Sequence, residues 1–397
     1  MPDELLSSWL VRYSTGMIMK LQAFTTHNLG QQPQFWTNDV DRTINTSLCS
    51  ILGNASGIAP DECKNTTLEA FAHALWPEFH KGSPNWLLPV GKYGRYRKLY
   101  GLQYCRLCLA EDENPYFRKS WRLGFNTCCL SHGIYLQDAC PSCHNPIQFH
   151  TTDFGRTFLS RESRITICSF CQHDIRYSLN EVDITAAAET MSIQSWMTSL
   201  LSDGFGTIDG YNIQSSVLLF HGLHCLLRPF TSKTRLARIK SAANAHYGEL
   251  DLASINHVSK FEFRRVGDRA LCLKGLYFLL QDWPLRFIEL CRKQKISSSY
   301  LQDFHKPLPY WLAKEIYWHL FDKDYQPTYQ ERNSARLFLE TRGYPVNESN
   351  INLLVGGSAV SARARLIRER WNPRGPASNQ HLFQNLDEDY STIFPNT

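Results

Sequence analysis

Four segments carry the clearest pattern in this chain: Cys105-Arg-Leu-Cys108, Cys129-Leu-Ser-His132, Cys140-Pro-Ser-Cys143 and Cys168-Ser-Phe-Cys171. Each places two metal-binding side chains three positions apart, so that one tight turn can present both to a single ion. We name these segments hooks 1 to 4. Two hooks complete a tetrahedral site, so four hooks predict two sites, one with a histidine and three thiolates and one with thiolates only. Neither site has an open position for water, which predicts structural rather than catalytic metal ions.

The order of the hooks predicts how they pair. Sequential pairing joins hooks 1 and 2, then hooks 3 and 4, whereas interleaved pairing joins hooks 1 and 3, then hooks 2 and 4, as in RING cross-brace domains. RING domains have two or three residues between the histidine and the next cysteine pair, but seven separate His132 from Cys140 here. We therefore predict two tandem zinc fingers and two Zn²⁺ ions per chain. The predicted ligands are Cys105, Cys108, Cys129 and His132 in the first finger, and Cys140, Cys143, Cys168 and Cys171 in the second.

The choice of metal ligands has alternatives among residues next to hooks 2, 3 and 4. Cys128 is the neighbour of Cys129, and we prefer Cys129 because it keeps the spacing to His132. His144 and His173 lie beside hooks 3 and 4 as alternative ligands, although simple exposure to solvent is favoured. Five cysteines stand singly, which is typical of small buried apolar residues: Cys49, Cys63, Cys225, Cys272 and Cys291.

Length and composition favour several folded domains. The chain has 397 residues, of which 43% are hydrophobic and 20% charged, and such a chain is expected to form two to four domains with their own cores. No apolar segment is long enough to cross a bilayer, and the first residues lack the apolar core of a secretory signal. We therefore expect a cytoplasmic protein that has no membrane partner.

The periodicity of the apolar residues predicts a mainly α, multidomain protein. Near the amino terminus we predict a helix capped by Asp3, a loop at 25–42, a helix at Ile44–Leu52 and a helix that begins with a capping box at Thr66–Glu69. Alternating apolar and basic residues predict a strand at Pro115–Phe125. Later helices are expected at 182–201, 215–227, 233–247, 271–295 with an interruption at Pro284, and 310–321.

These elements predict five parts of the chain. In order they are an N-terminal helix-turn-helix-like module at 1–88, a tandem zinc-finger module at 89–178, a helical domain at 179–300, a C-terminal helix-turn-helix-like module at 301–371 and a flexible tail at 372–397. The last helical segment follows a Gly356-Gly357 turn and is rich in arginine.

Positive charge collects beside the hooks. Residues 92–122 contain eight lysines and arginines and three acidic residues, so their net charge of 8 − 3 = +5 equals that of the whole chain. Tyrosines alternate with these residues, a pattern typical of phosphate contacts combined with base stacking. A protein or RNA–protein partner fits equally, and a solvated surface loop is the structural alternative. The candidate nucleic-acid or partner-binding residues are Lys92, Arg95, Arg97, Lys98, Arg118, Lys119, Arg122, Arg363, Arg365 and Arg368.

The hooks and their surroundings resemble the TniQ family, which includes TnsD-like target selectors of bacterial transposons. The likeness rests on Asp3–Arg12, on Trp86–Gly91 and, most specifically, on Gln103–Asp112 together with Pro115–Arg118, Ser120–Leu123 and hooks 2 and 3. It extends over residues 1–171, with Arg106 standing in hook 1 where relatives commonly have proline.

The resemblance implies a non-catalytic adaptor. Such proteins recognise a target, either a DNA site or a CRISPR effector complex of the Cascade type with its guide RNA, and recruit an AAA+ ATPase of the TnsC kind. The length of this chain is similar to that of the RNA-guided branch, whose members can act as homodimers.

Two other functions stay open from the sequence alone. One is a free-standing, sequence-specific DNA-binding protein that uses the zinc fingers and residues 350–371. The other is an enzyme, which is disfavoured because the hook spacing differs from that of RING ligases. The sequence also shows no clustered acidic metal site, Gly-rich phosphate loop or paired His/Asp motif of a nuclease.

Overall fold

The computed structural model describes residues 1–30, 33–44, 46–79, 82, 84–90, 98–153, 164–177, 184–208, 214–231, 260–294, 296, 301, 308–320 and 329–355. The chain divides into two compact units, Met1–Leu290 and Cys291–Thr397. The helix predicted at 233–247, the arginine-rich segment after Val355 and the predicted tail lie outside the described residues. The module boundaries at 88, 178, 300 and 371 stay predictions.

The first unit begins with four helices. They are α1 (Leu6–Gly16), α2 (Leu21–Leu29), α3 (Thr46–Ser56) and α4 (Pro60–Lys64), with 3₁₀ turns at Pro33–Thr37 and Leu68–Phe71. The loop predicted at 25–42 is therefore wrong in part, because α2 continues to Leu29 and a 3₁₀ turn follows. Apolar side chains at helical spacing form the buried face of α1, namely Leu6, Leu10 and Val11.

Two predicted helix caps are wrong, and tertiary contacts explain both. Asp3 does not cap α1; its carboxylate accepts hydrogen bonds from the backbone nitrogen and the hydroxyl of Ser120, at 3.2 and 2.6 Å. The hydroxyls of Thr66 and Thr67 donate backwards to the last carbonyls of α4 instead of capping a new helix. Only the single 3₁₀ turn at Leu68–Phe71 follows them.

The middle of the first unit is built around short elements. They are α5 (Arg106–Glu111) and the antiparallel hairpin of β1 (Cys128–Cys129) and β2 (Ile134–Tyr135), in which Cys129 pairs with Ile134. The strand predicted at Pro115–Phe125 is wrong, since residues Lys119–Arg122 form a 3₁₀ turn. Bonds from the amino terminus impose this turn, because the backbone nitrogen of Lys119 donates to the carbonyl of Asp3 at 2.6 Å.

Among the residues that the structure describes, three helices and the first part of a fourth complete the first unit, which ends at Leu290. They are α6 (Ala188–Asp203), α7 (Ser216–Leu227), α8 (Val266–Leu280) and α9 (Leu285–Lys293), with a two-stranded ladder of β3 (Phe205–Gly206) and β4 (Gln214–Ser215) between α6 and α7. Helix α6 packs on α8. The break predicted at Pro284 is confirmed, and the mainly helical fold class is confirmed with it. No helix in the described ranges has the length and apolar character needed to span a membrane.

An aromatic cluster lies in the core of the first unit. Trp86 is 1% exposed, and its ring meets the edges or faces of Phe125, Phe220 and Phe261 at centroid distances of 5.4 to 6.0 Å. The indole nitrogen donates to the carbonyl of Phe220 at 3.0 Å, which satisfies its single donor. The cluster joins the segment before the hooks to helix α7 and to the turn that precedes α8.

The second unit contains α10 (Tyr310–His319), α11 (Tyr329–Arg342) and α12 (Glu348–Val355). Helices α11 and α12 pack through a small core of Ala335, Leu339, Ile351, Leu354 and Val355. Gly343, at φ +73°, ends α11 in the left-handed region that favours glycine.

The turn between α1 and α2 stores backbone strain. Ile18 has φ +57° and is 54% exposed, a conformation that a β-branched residue rarely adopts. We expect Ile18→Gly to raise the free energy of unfolding by about 0.5–1 kcal/mol, measured by chemical denaturation, because glycine relieves the strain. The control Met17→Gly changes a residue at φ −81°, so it should lower stability by about the same amount. Destabilisation by both changes would contradict the strain.

Candidate metal centres

The side chains of hooks 1 and 2 converge on one point. Nδ1 of His132 lies 3.5 Å from Sγ of Cys105, 3.4 Å from Sγ of Cys108 and 3.3 Å from Sγ of Cys129, and the sulfurs of Cys108 and Cys129 are 3.6 Å apart. All four ligand atoms lie within 4.8 Å of one another. Cys128 lies outside this group, in agreement with the preference for Cys129. We name this group the first centre.

Hooks 3 and 4 form a second group with sulfur atoms only. Sγ of Cys140 lies 3.6 Å from Sγ of Cys171, and Sγ of Cys143 lies 3.7 Å from Sγ of Cys168. We name this group the second centre. Its ligand atoms also lie within 4.8 Å of one another. The pairing in both centres is the sequential one expected from the hook order.

The spacing of these atoms fits a tetrahedral metal ion. For a Zn–S bond of about 2.3 Å and a Zn–N bond of about 2.0 Å, tetrahedral geometry places two sulfurs about 3.8 Å apart and sulfur and nitrogen about 3.5 Å apart. The observed sulfur pairs at 3.6 and 3.7 Å and sulfur–nitrogen pairs at 3.3 to 3.5 Å match these edges. Thiolate and imidazole are the ligands of structural zinc. Both centres can therefore hold a metal ion with all four positions filled by protein.

Three hooks use the same backbone turn, a feature that the spacing alone does not reveal. In all four hooks the residue after the second ligand donates its backbone N–H to the carbonyl of the first ligand, at 3.1, 2.8, 2.9 and 3.0 Å in hooks 1 to 4. In hooks 2, 3 and 4 that residue also has a left-handed backbone. These residues are Gly133, His144 and Gln172, at φ +64°, +57° and +65°. Hook 1 differs because Cys105 begins α5 and the turn of the hook becomes the first turn of that helix.

Contacts outside the ligands orient the first centre. Nε2 of His132 lies 2.9 Å from a carboxylate oxygen of Glu111, which fixes Nδ1 as the nitrogen that faces the sulfurs. Behind hook 2, the buried Gln194 accepts hydrogen bonds from the backbone nitrogens of Thr127 and Cys128 at 2.7 and 3.0 Å. Its amide donates to the carbonyl of Cys128 at 2.7 Å. Helix α6 thus holds the hairpin that carries the hook.

The close approach of the thiols lowers the pKa of some of them and raises the pKa of others. Hydrogen bonds from Cys105 and Cys108 bring the pKa of Cys129 far below its usual range, whereas hydrogen bonds with Cys105 and Cys129 raise the pKa of Cys108. In the second centre, burial raises the pKa of Cys143, but hydrogen bonds from Asn145, Cys171 and Cys168 together outweigh it and the pKa falls to about 7. Each centre therefore holds a thiol that ionises readily, as metal binding requires.

Three of the basic residues predicted to contact nucleic acid make contacts within the protein, and for Arg118 and Lys119 the nucleic-acid contact stays a prediction. Arg118 pairs with Asp112 at 3.0 Å, and Lys119 donates to the carbonyl of Asn65. The side chain of Arg122 has 0% exposure, so the expectation that it contacts nucleic acid is wrong.

Among the remaining basic candidates, Lys98 is the one that the structure describes. Lys98 is exposed and donates to Oδ1 of Asn145 at 2.8 Å. The other candidates lie outside the described residues, where their proposed contacts stay predictions: Lys92, Arg95, Arg97, Arg363, Arg365 and Arg368.

Arg122 instead joins the N-terminal helices to the finger segment. Its guanidinium lies 2.7 Å from Asp39 and 3.1 Å from Asp41, and it donates to the carbonyl of Leu88 at 2.8 Å. Asp41 in turn accepts hydrogen bonds from the backbone nitrogen and the hydroxyl of Ser7 in α1, at 2.7 and 2.9 Å. No local pattern in the sequence indicates this network, because its members lie far apart along the chain.

The five single cysteines are all buried, as predicted. In the described part of the chain, the two centres are the groups of three or more His, Cys, Asp or Glu side chains placed closely enough to share a metal ion. His144 and His173, the alternative ligands, belong to neither group.

Comparison with known protein families gives a match at the amino-terminal end of the chain. Residues 1–136, about a third of the chain, match the family model TniQ. The match includes helices α1 to α5 and all four ligands of the first centre, and it ends before hook 3. No curated protein matches the chain.

Proposed function

We propose that this protein is a non-catalytic adaptor that selects the target of a transposon, and the match of residues 1–136 to the TniQ family model supports the proposal. One observation carries the proposal. The part of the chain that matches the family is the part in which four ligands close around the first centre. Closed four-ligand zinc sites stabilise folds and leave no position at which a substrate could bind the metal.

We propose Zn²⁺ as the ion in both centres and a structural role for each. The ligand sets of one histidine with three thiolates, and of four thiolates, support zinc. Zinc binding of this kind contributes about 10–16 kcal/mol to the folding of small modules. The role of the centres in the adaptor is to stiffen the finger segment so that it can serve as a docking surface.

The proposed partners are an AAA+ ATPase of the TnsC kind and a target-recognition complex. For the second partner we propose a CRISPR effector of the Cascade type with its guide RNA, target DNA being the alternative, and we propose that two copies of the chain associate. The buried contacts that tie α1 to the finger segment support such a bridging role. The backbone nitrogen of Leu5 donates to the carbonyl of Phe117 at 2.9 Å, and Arg122 adds its ion pairs with Asp39 and Asp41.

The internal contacts of the basic residues favour an adaptor over a free-standing DNA-binding protein. Arg118, Lys119 and Arg122 are held by Asp112, Asn65 and the Asp39–Asp41 pair. A basic side chain already held by the protein must break its internal contact before it binds a phosphate. The described finger segment therefore offers fewer phosphate contacts than its composition indicates.

The experiment compares three binding reactions of the purified protein at increasing salt. We expect two zinc ions per chain by elemental analysis, retention of the TnsC-like ATPase and the Cascade-type effector in pull-downs, and weak binding to a 30-base-pair duplex. Direct DNA recognition would instead give tight duplex binding, with a log–log salt slope of about −0.9 per phosphate contacted. Tight duplex binding with this salt dependence, together with no retention of either protein partner, would contradict the proposed adaptor function.

A further inference from the structure

We propose that Asn145 and Lys98 are positioning residues of the second centre, and that this centre exchanges its metal ion before the first. The inference rests on the proposed metal occupancy of both centres. It concerns how firmly the chain holds each ion, which the ligand sets alone do not determine. Three differences between the surroundings of the two centres carry it.

The first difference is exposure to solvent. In the first centre Cys105 is 0% exposed and Cys129 7% exposed, and the remaining two ligands are half-buried. In the second centre Cys140 and Cys168 are also buried, at 0% and 4%, and Cys143 is half-buried, so the difference lies in Cys171, which is exposed. A competing chelator or thiol reagent can therefore approach a ligand sulfur of the second centre without any opening of the fold.

The second difference is the support behind the hooks. Gln194 of α6 fixes hook 2 through three hydrogen bonds to Thr127 and Cys128, and Glu111 fixes the imidazole of His132. Release of a ligand from the first centre must work against these contacts. In hook 4, Cys168 exchanges hydrogen bonds with Gln172 and His173 of its own turn, and a contact from outside is the hydroxyl of Thr152, which donates to the carbonyl of Ile167 at 3.4 Å.

The third difference is a series of contacts that connects hook 3 through Asn145 to Lys98. Nδ2 of Asn145 lies 3.5 Å from Sγ of Cys143, and the carbonyl of Asn145 accepts the backbone N–H of Cys140 at 2.9 Å. Asn145 thus contacts both ligands of hook 3, Cys140 and Cys143. Its Oδ1 accepts a hydrogen bond from the ammonium of Lys98 at 2.8 Å, which fixes the amide so that its NH₂ group faces the sulfur.

These contacts give Lys98 a role inside the finger. The ammonium neutralises part of the charge that builds up when four thiolates surround a divalent ion, and it does so through the Asn145 amide. Outer contacts of this kind commonly change metal affinity by about 10- to 100-fold. Lys98 is also the last residue of the basic stretch 92–98, so a phosphate-bearing partner that drew it away would loosen the metal in the second centre.

The order of release is tested by alkylation during metal removal. Protein shown to hold two zinc ions is mixed with excess EDTA and N-ethylmaleimide, and labelled peptides are quantified by mass spectrometry over time. We expect labelling of Cys143 and Cys171 before Cys105, Cys108 and Cys129. Equal rates in the two groups, or earlier labelling of the first centre, would overturn the proposal. Zinc content below two at the start would instead count against the proposed function.

Variants test the positioning residues. Asn145→Ala should speed labelling of the second-centre thiols about tenfold, and Lys98→Met about two- to threefold, while labelling of the first-centre thiols stays unchanged. Lys98→Arg, which keeps a donor, should restore the slow rate. Lys64→Met removes another exposed lysine, in α4, and should change neither rate. Should Asn145→Ala misfold, Lys98→Met decides alone, and an unchanged second-centre rate in it overturns the role of Lys98.

Discussion

Cys129→Ser should lower the zinc content from two ions per chain to one and destabilise the first unit, whereas Cys128→Ser should keep both ions. The two cysteines are adjacent in β1, so the pair of variants separates metal ligation from burial. Sγ of Cys129 faces Nδ1 of His132 at 3.3 Å, whereas Sγ of Cys128 faces the side-chain oxygen of Gln194 at 3.2 Å. A serine hydroxyl can replace the second contact but is a poor zinc ligand.

The expected loss is large because metal binding is part of folding at such a site. Structural zinc contributes about 10–16 kcal/mol to small modules, which exceeds the net stability of many domains. Removal of one of four ligands should release hook 2, and with it the hairpin on Gln194. Elemental analysis and denaturant unfolding measure the two effects. Full zinc content in Cys129→Ser, or loss of an ion in Cys128→Ser, would reject the ligand assignment.

The metal centres could be predicted from the sequence because their signal is local. Each hook places both ligands within four residues, and the interval of seven residues between His132 and Cys140 was enough to favour sequential pairing. The helices α6 and α7 could be predicted for the same reason, since their apolar residues repeat at helical spacing. The left-handed residues after the hooks were only partly predictable: Gly133 signals such a turn, but His144 and Gln172 do not.

The finger segment at Pro115–Phe125 shows where local signals fail. The apolar residues of its alternation are buried, namely Phe117, Trp121, Leu123 and Phe125. The backbone nevertheless forms a 3₁₀ turn, because Asp3 binds the backbone of Lys119 and Ser120 across more than a hundred residues. The positive charge of Arg122 was misleading for a similar reason. A basic residue in a sequence predicts an exposed side chain, but carboxylates far away along the chain can pair with it and allow its burial.

Arg122→Met should cost about 3–5 kcal/mol of unfolding free energy near pH 8, because it leaves the carboxylates of Asp39 and Asp41 without their cation. Arg122 is fully buried, and the side chain of Asp41 is 5% exposed. Arg122→Lys keeps the positive charge but loses the planar set of guanidinium hydrogen-bond donors. Its free energy of unfolding should therefore lie between those of the wild type and Arg122→Met. Arg286→Met removes an arginine whose partner, Asp282, is 69% exposed, and should cost under about 1 kcal/mol.

The cost of Arg122→Met should also depend on pH in a definite direction. Burial raises the pKa of Asp41 to about 6 although Arg122 lowers it, so loss of Arg122 raises that pKa further. A folded-state pKa above the unfolded value of 3.8 favours folding in acid, and the benefit is lost as the pH rises through the folded pKa. The variant should therefore approach the wild type in stability as the pH falls from 8 to 5, since protonation neutralises the orphaned carboxyl. Denaturant unfolding of both proteins at each pH measures the difference. A pH-independent cost, or one below about 1 kcal/mol at pH 8, would show that Arg122 is not the counter-ion that makes the burial of Asp41 tolerable.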